Sequence, residues 1–257
     1  MHIDLSGRAA LVTGGAGGIG RAIASQLAEH GACVLLADMN EQQGQQVASQ
    51  IPRAIFQRAD ITSREDCQAL VQRAEQEWGG VDILVNNAGV QHIAPVEDFP
   101  LERWEELIRI LLVAPFVLTH YALPHMYATG WGRIVNMSSI HGLVASPYKS
   151  AYVAAKHGLI GFTRTVAVEA GDKGVTCNAI CPSFVRTPLV ERQIDDLART
   201  NGISPDEVTE KIMLAPAAIK RLLEPEEVAA LAVFLCSEQA AGITGSAHSI
   251  DCGWTAR

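Results

Sequence analysis

The sequence predicts a single α/β domain, residues 1–257, built on a doubly wound parallel sheet of about seven strands with helices on both faces. Three observations predict it. Short, continuously apolar runs such as ACVLLA (32–37) read as strands buried on both faces. These runs alternate with helix-period segments, the βαβ pattern of a parallel sheet. The first strand also passes through a glycine-rich turn directly into a helix. At 48% apolar and 19% charged, the chain can bury a sizeable core, and no linker-like composition interrupts it.

Ala9 to Thr13 is the first strand, followed by GGAGGIG (14–20) and a helical pattern through Ile23, Leu27 and Ala28. Glycines let the backbone turn tightly and approach a pyrophosphate, while the helix N-terminus offers unpaired amides and a positive dipole end. Gly14, Gly18, Ile19 and Gly20 are therefore candidate cofactor-binding residues, in a GxxxGxG spacing.

The strand at 32–37 ends in Asp38. An acidic residue about 20 positions beyond the glycines accepts hydrogen bonds from adenosine ribose hydroxyls and repels a 2′-phosphate, so the expected cofactor is NAD rather than NADP. The alternative is that Asp38 caps the helix beginning near Glu41. Helix 41–50 leads to strand 54–59 and then to Asp60 and Ile61; Asp60 either bonds an adenine amino group or caps the helix from Ser63 to Trp78. Val81 to Val85 is the fourth strand, and Asn87, Ala88 and Gly89 after it permit close approach of a ligand at the carboxyl edge of the sheet.

Leu101 to Thr129 reads as one long helix kinked by Pro115. Arg133 to Met137 is the fifth strand and delivers Ser138 and Ser139 to the same edge. A helix over Ser150 to Ala170, a strand over Val175 to Ile180 and a loop over Pro182 to Pro188 follow. Polar helices near 189–200 and 204–213 form a lid at about 187–216, and a helix from Pro225 to Cys236 and a strand from His248 to Asp251 close the fold.

The stretch Ser138 to Lys156 carries the chemistry. On a helix, Lys156 lies one turn beyond Tyr152 on the same face. A nearby cation lowers a phenol's pKa from about 10, which makes Tyr152 a candidate proton shuttle. Taken alone, the pair reads better as an ordinary amphipathic surface pair.

A formal charge of −8 argues against nucleic acid or an anionic membrane as partner, since both need clustered basic residues. Six cysteines without a CxxC pair read as reduced thiols; with no secretory leader, a cytoplasmic location is expected. The apolar stretch near Ile110 to Leu118 is too short to span a bilayer. No metal-ligand cluster is present in the sequence, and no metal is expected.

TGGAGGIG (13–20), NNAG (86–89), Ser139 with YVAAK (152–156), and CPSFVRTP (181–188) together resemble the classical short-chain dehydrogenases, whose fold is of the Rossmann type. The resemblance implies Ser139, Tyr152 and Lys156 as catalytic residues. It also implies a cofactor site that includes Asp60, Ile61, Asn87, Ala88, Gly89, Tyr152, Lys156, Pro182, Val185 and Thr187.

NNAGVQHIAPVEDF (86–99), SIHGLVASPYKSAYVAAKHG (139–158), TPLVERQI (187–194) and GWTAR (253–257) are similar to the bacterial D-3-hydroxybutyrate dehydrogenases, enzymes of ketone body metabolism. This implies a homotetramer acting on a small hydroxy acid, with Gln91, His141, Lys149 and Gln193 on the substrate carboxylate. A cation and several donors in an otherwise acidic protein suit that role. A dehydrogenase for another small hydroxy acid, sugar or polyol, or a non-catalytic NAD-binding sensor, is the alternative. The chain departs from the family at Leu111, where a relay-supporting asparagine is usual, and at Ser183, Phe184 and Cys252.

Overall fold

The computed structural model describes residues 3–256, apart from the side chains of residues 192, 200 and 201. Seven parallel strands form one sheet in the order β3-β2-β1-β4-β5-β6-β7. They are β1 (Ala9–Thr13), β2 (Cys33–Asp38), β3 (Ala54–Arg58), β4 (Ile83–Asn86), β5 (Gly132–Met137), β6 (Val175–Pro182) and β7 (Ala247–Ile250). In register, Leu11 stands beside Leu35 on one side and Leu84 on the other. The central strands β1, β4, β5 and β6 are buried throughout, as strands covered on both faces are.

Helices cover both faces. On one, α1 (Gly18–Glu29) packs against α9 (Pro225–Cys236) over Val12, Val34, Leu36 and Val85. On the other, α3 (Arg64–Trp78), α5 (Ala114–Thr129) and α6 (Ser150–Ala170) close over Leu11, Leu35, Leu84 and Ile134. α2 (Glu41–Gln50) flanks β3, with Gly44 directly over the Phe56 ring, where a methyl would sit 2.0 Å from a ring carbon.

The expected helix over 101–129 is interrupted, but ahead of Pro115. α4 (Leu101–Ile108) passes through a wider π segment, Arg109–Val113, before α5 begins at Ala114. Proline has no N–H to bond the carbonyl four residues back, here that of Leu111, so the local ring widens instead of breaking. Leu101–Thr129 taken together is long and apolar enough to cross a membrane by length and composition, a longer window than the stretch near Ile110. It packs here onto α3 and the sheet, as a core helix does.

Beyond β6, α7 (Pro188–Asn201), α8 (Pro205–Glu207) and a π segment, Val208–Met213, lie over the sheet edge. Their apolar residues Val190, Leu197, Val208 and Met213 form a separate cluster with Ile140 and Phe184.

The strand order reverses direction between β1 and β4, and there the turns are drawn together. Thr13 Oγ1 accepts from Asn87 N and Ala88 N, both at 3.1 Å, and Asn87 Nδ2 donates to Thr13 O at 2.9 Å. A Cβ on Gly20 would lie 2.2 Å from Gly14 O and 2.5 Å from Asn87 Nδ2. Gly20→Ala is therefore expected to destabilise the fold by about 1–3 kcal/mol through overpacking. Denaturant unfolding checks this; a midpoint equal to that of the unsubstituted protein contradicts it.

Candidate active site

A cleft of about 400 Å³ runs along the carboxyl edge of the sheet at the β1/β4 divide. Its first half is backbone. Gly17, the N-cap of α1, makes no side-chain capping bond, so the helix presents its first amides to the cleft. Gly14 and Gly18 have φ of +64° and +51°, a left-handed geometry that favours glycine, and a Cβ on Gly14 would meet Ala88 Cα at 2.9 Å. This bare cradle at a helix N-terminus fits a pyrophosphate.

Asp38 closes that half. Its Oδ1 accepts from Asn40 N at 3.0 Å and its Oδ2 from Ala16 N at 3.2 Å, fixing the carboxylate at the cleft. It does not cap α2: Asn40 does, accepting from Gln43 N. Asp60 caps nothing beyond its own turn, because Ser63 caps α3 while Asp60 Oδ1 holds Thr62 N and Thr62 Oγ1.

The second half holds the side chains with chemistry. Ser139 follows β5, and its Oγ accepts from His141 N at 3.2 Å. Tyr152 and Lys156 lie one turn apart on α6, with the ammonium 5.5 Å from the phenol ring centre. Lys156 Nζ donates to Met137 O at 2.6 Å, and Ser138 Oγ donates to Lys156 O at 3.2 Å, which ties α6 to the end of β5. Gly142 makes this approach possible, since a Cβ there would lie 2.4 Å from Ser138 Oγ.

Enclosure acts on both members of this pair. Burial pushes Tyr152 up, to about 12, against a hydrogen bond with Ser139 that pulls it down. Burial likewise pushes Lys156 down to about 8. In each case enclosure disfavours the charged form.

Lys149 and His141 face each other across the remaining wall, with Nζ and Nε2 3.3 Å apart and both residues buried. Tyr148, in the left-handed region at φ +66°, turns the chain so that Lys149 precedes α6, and its carbonyl accepts from Ala94 N. Burial, then the neighbouring lysine, pushes His141 down to about 3, so the imidazole is neutral. Burial pushes Lys149 down to about 8. Gln193 on α7 and Gln91 after β4 line the same space, and Gln91 Oε1 is buried without a hydrogen-bond partner.

Of the candidate catalytic, substrate and cofactor residues, all line this cleft except Gly20, which packs beneath the turn, and Asp60 and Ile61. Sequence reasoning missed Thr13, whose hydroxyl ties the two turns. It also missed Trp254, whose ring meets His141 edge-on at 6.0 Å and whose Nε1 donates to Met213 O. Phe184 faces Lys149 Nζ at 5.5 Å. Leu111 is buried in the π segment among Phe99, Leu107, Ala151 and Ala155, forming an apolar backing to Tyr152. Among the described residues no group of His, Cys, Asp and Glu is arranged to hold a metal ion.

Comparison with known proteins agrees with this geometry. The family model described as enoyl-(acyl carrier protein) reductase matches residues 14–255. The D-beta-hydroxybutyrate dehydrogenase of Rhizobium meliloti (strain 1021) is 45% identical over 97% of this chain and 99% of its own length. That of Cupriavidus necator is 44% identical over 98% and 100%. A cyclohexanol dehydrogenase of Acinetobacter sp. (strain SE19) is 35% identical over 100% and 98%. The chain belongs to the short-chain dehydrogenase/reductase family, oxidoreductases that work with a nicotinamide cofactor.

Proposed function

We propose that the protein is an NAD-dependent dehydrogenase interconverting D-3-hydroxybutyrate and acetoacetate. The observation that carries this reading is a buried lysine paired with a neutral histidine in the same cleft as Tyr152: an enclosed cation that a small carboxylate would complete. The names of the two hydroxybutyrate relatives support the same substrate.

In this reading Lys149, His141, Gln91 and Gln193 hold the carboxylate, and Ser139 Oγ donates to the substrate's reacting oxygen. Gly14, Gly18, Ile19, Asp38, Asp60, Ile61, Asn87, Ala88, Gly89, Pro182, Val185 and Thr187 hold the cofactor, with Gly20 packing the turn. Asp38 places a carboxylate where a 2′-phosphate would be repelled, which supports NAD. When bound, the oxidised nicotinamide supplies a two-electron acceptor and a positive ring charge. Tyr152 Oη would take the alcohol proton, and Lys156, one turn further on α6, would favour the phenolate. In the reverse direction a phenol raised by burial is a ready donor to the ketone oxygen. Orientation in an enclosed site carries much of the catalysis.

The lid, residues 187–216 within a single domain, carries Gln193 onto the substrate. A homotetramer is supported by apolar residues exposed on α5 and α6: Phe116, in edge contact with Phe162, and Val168. A cytoplasmic location is supported by six free thiols.

Lys149→Ala and Gln193→Ala are each expected to lower kcat/KM for D-3-hydroxybutyrate by about 10- to 100-fold, mostly through KM, as charge-assisted or buried amide bonds are lost. NADH absorbance against a panel of hydroxy acids and polyols checks this. Unchanged hydroxybutyrate kinetics, or a polyol preferred over every acid, would refute the assignment.

The depressed Lys149 pKa gives a pH dependence. Its ammonium is present below about pH 8 and lost above it, so carboxylate affinity is full at neutral pH and falls as pH rises. Bound carboxylate raises the lysine's pKa again, so substrate binding near pH 8–9 takes up a proton. KM is expected to be flat from pH 6 to 7 and to climb above 8, and a KM flat to pH 10 contradicts this.

A further inference from the structure

Gln43 belongs to none of the motifs described above, yet it borders the cleft on the first turn of α2, where Asp38 faces the glycine cradle. Asn40 holds it twice. Asn40 Oδ1 accepts from Gln43 N at 3.1 Å, and Asn40 Nδ2 donates to Gln43 Oε1 at 3.1 Å. The first bond fixes which end of the Asn40 amide is oxygen, and the second then fixes the Gln43 amide in turn. Gln43 Nε2 is therefore directed away from Asn40, and it is the nearest atom to the open space over Gly17, 3.5 Å from where a Cβ would sit.

Asp38 supplies only acceptors here, each oxygen already taking one backbone amide and keeping lone pairs for the cleft. A ribose diol is both donor and acceptor at each hydroxyl. A carboxylate alone satisfies only the donors, and the hydroxyl oxygens need an N–H. We propose that Gln43 is an adenosine-ribose-binding residue whose Nε2 donates to a ribose hydroxyl oxygen while Asp38 accepts from the diol. The assignment rests on the dinucleotide reading of the cleft. It makes the pair Asp38–Gln43, with Asn40 as its brace, the unit that recognises an unphosphorylated ribose.

Gln43→Glu is the sharpest test, because the new carboxylate keeps an acceptor for Asn40 Nδ2 but turns the donor into an acceptor beside Asp38. Calorimetric titration without substrate is expected to show NADH and ADP-ribose each bound at least about tenfold more weakly by Q43E. Q43A is expected to weaken both about three- to tenfold, the loss of one hydrogen bond. Unchanged thermal unfolding excludes a folding defect, since residue 43 is exposed. Unaltered NADH affinity in both variants, or weakened NADH with unaltered ADP-ribose, would overturn the assignment. A wild-type protein that binds neither ligand would overturn the dinucleotide reading and the assignment with it.

Discussion

The bond set between Thr13 and Asn87 is the constraint on which the site depends. β1 and β4 are neighbours in space although two βα units separate them in sequence, and their following chains leave to opposite faces of the sheet. A cleft opens wherever this happens in a doubly wound sheet. Here one threonine hydroxyl and one asparagine amide hold the two departing turns against each other, bonding backbone on both sides. Gly14 and Gly20 have no side chains because this junction leaves no room for them. The glycine cradle and the facing wall after β4 are thus set by one local contact.

Burial is the second organising effect, and it acts on every ionisable side chain of the reactive half in the same sense. Tyr152 is pushed up and Lys156, Lys149 and His141 are pushed down, each toward its neutral form. The free protein holds a cluster of reluctant charges in a buried recess. A ligand that brought a carboxylate to Lys149 and a positive charge beside Tyr152 would favour the charged forms. In the proposed function, binding and activation would therefore be coupled, with the phenol becoming a base once substrate and cofactor are both in place. Leu111 continues this theme as an aliphatic backing to Tyr152.

Much of this was legible in the sequence because it follows from patterns with a fixed period or a fixed spacing. Buried strands such as CVLLAD and ILVN are continuously apolar up to their last residue, and the glycine turn sits between a strand and a helix. Ser139, Tyr152 and Lys156 fall together because β5 and α6 begin and end where their turn residues dictate. What was not legible depends on contacts distant in sequence. Thr13 looked like the last residue of a strand, and Trp254 reaches His141 only because the chain end folds back over the lid. The π segment before Pro115 depends on how a missing amide is absorbed, which a kink rule does not specify. The phenol's raised pKa depends on enclosure; spacing to a lysine reports proximity alone.

The account's central claim is that a hydroxyl-bearing carbon gives its hydride directly to the nicotinamide in this cleft, with Tyr152 taking the proton. Incubating the protein with NAD and D-3-hydroxybutyrate deuterated at C3, and weighing the product NADH by mass spectrometry, tests it most directly. The account predicts NADH carrying one deuterium, and none of it formed by Tyr152→Phe. Unlabelled NADH, or no reduced cofactor from the unsubstituted protein, would contradict it.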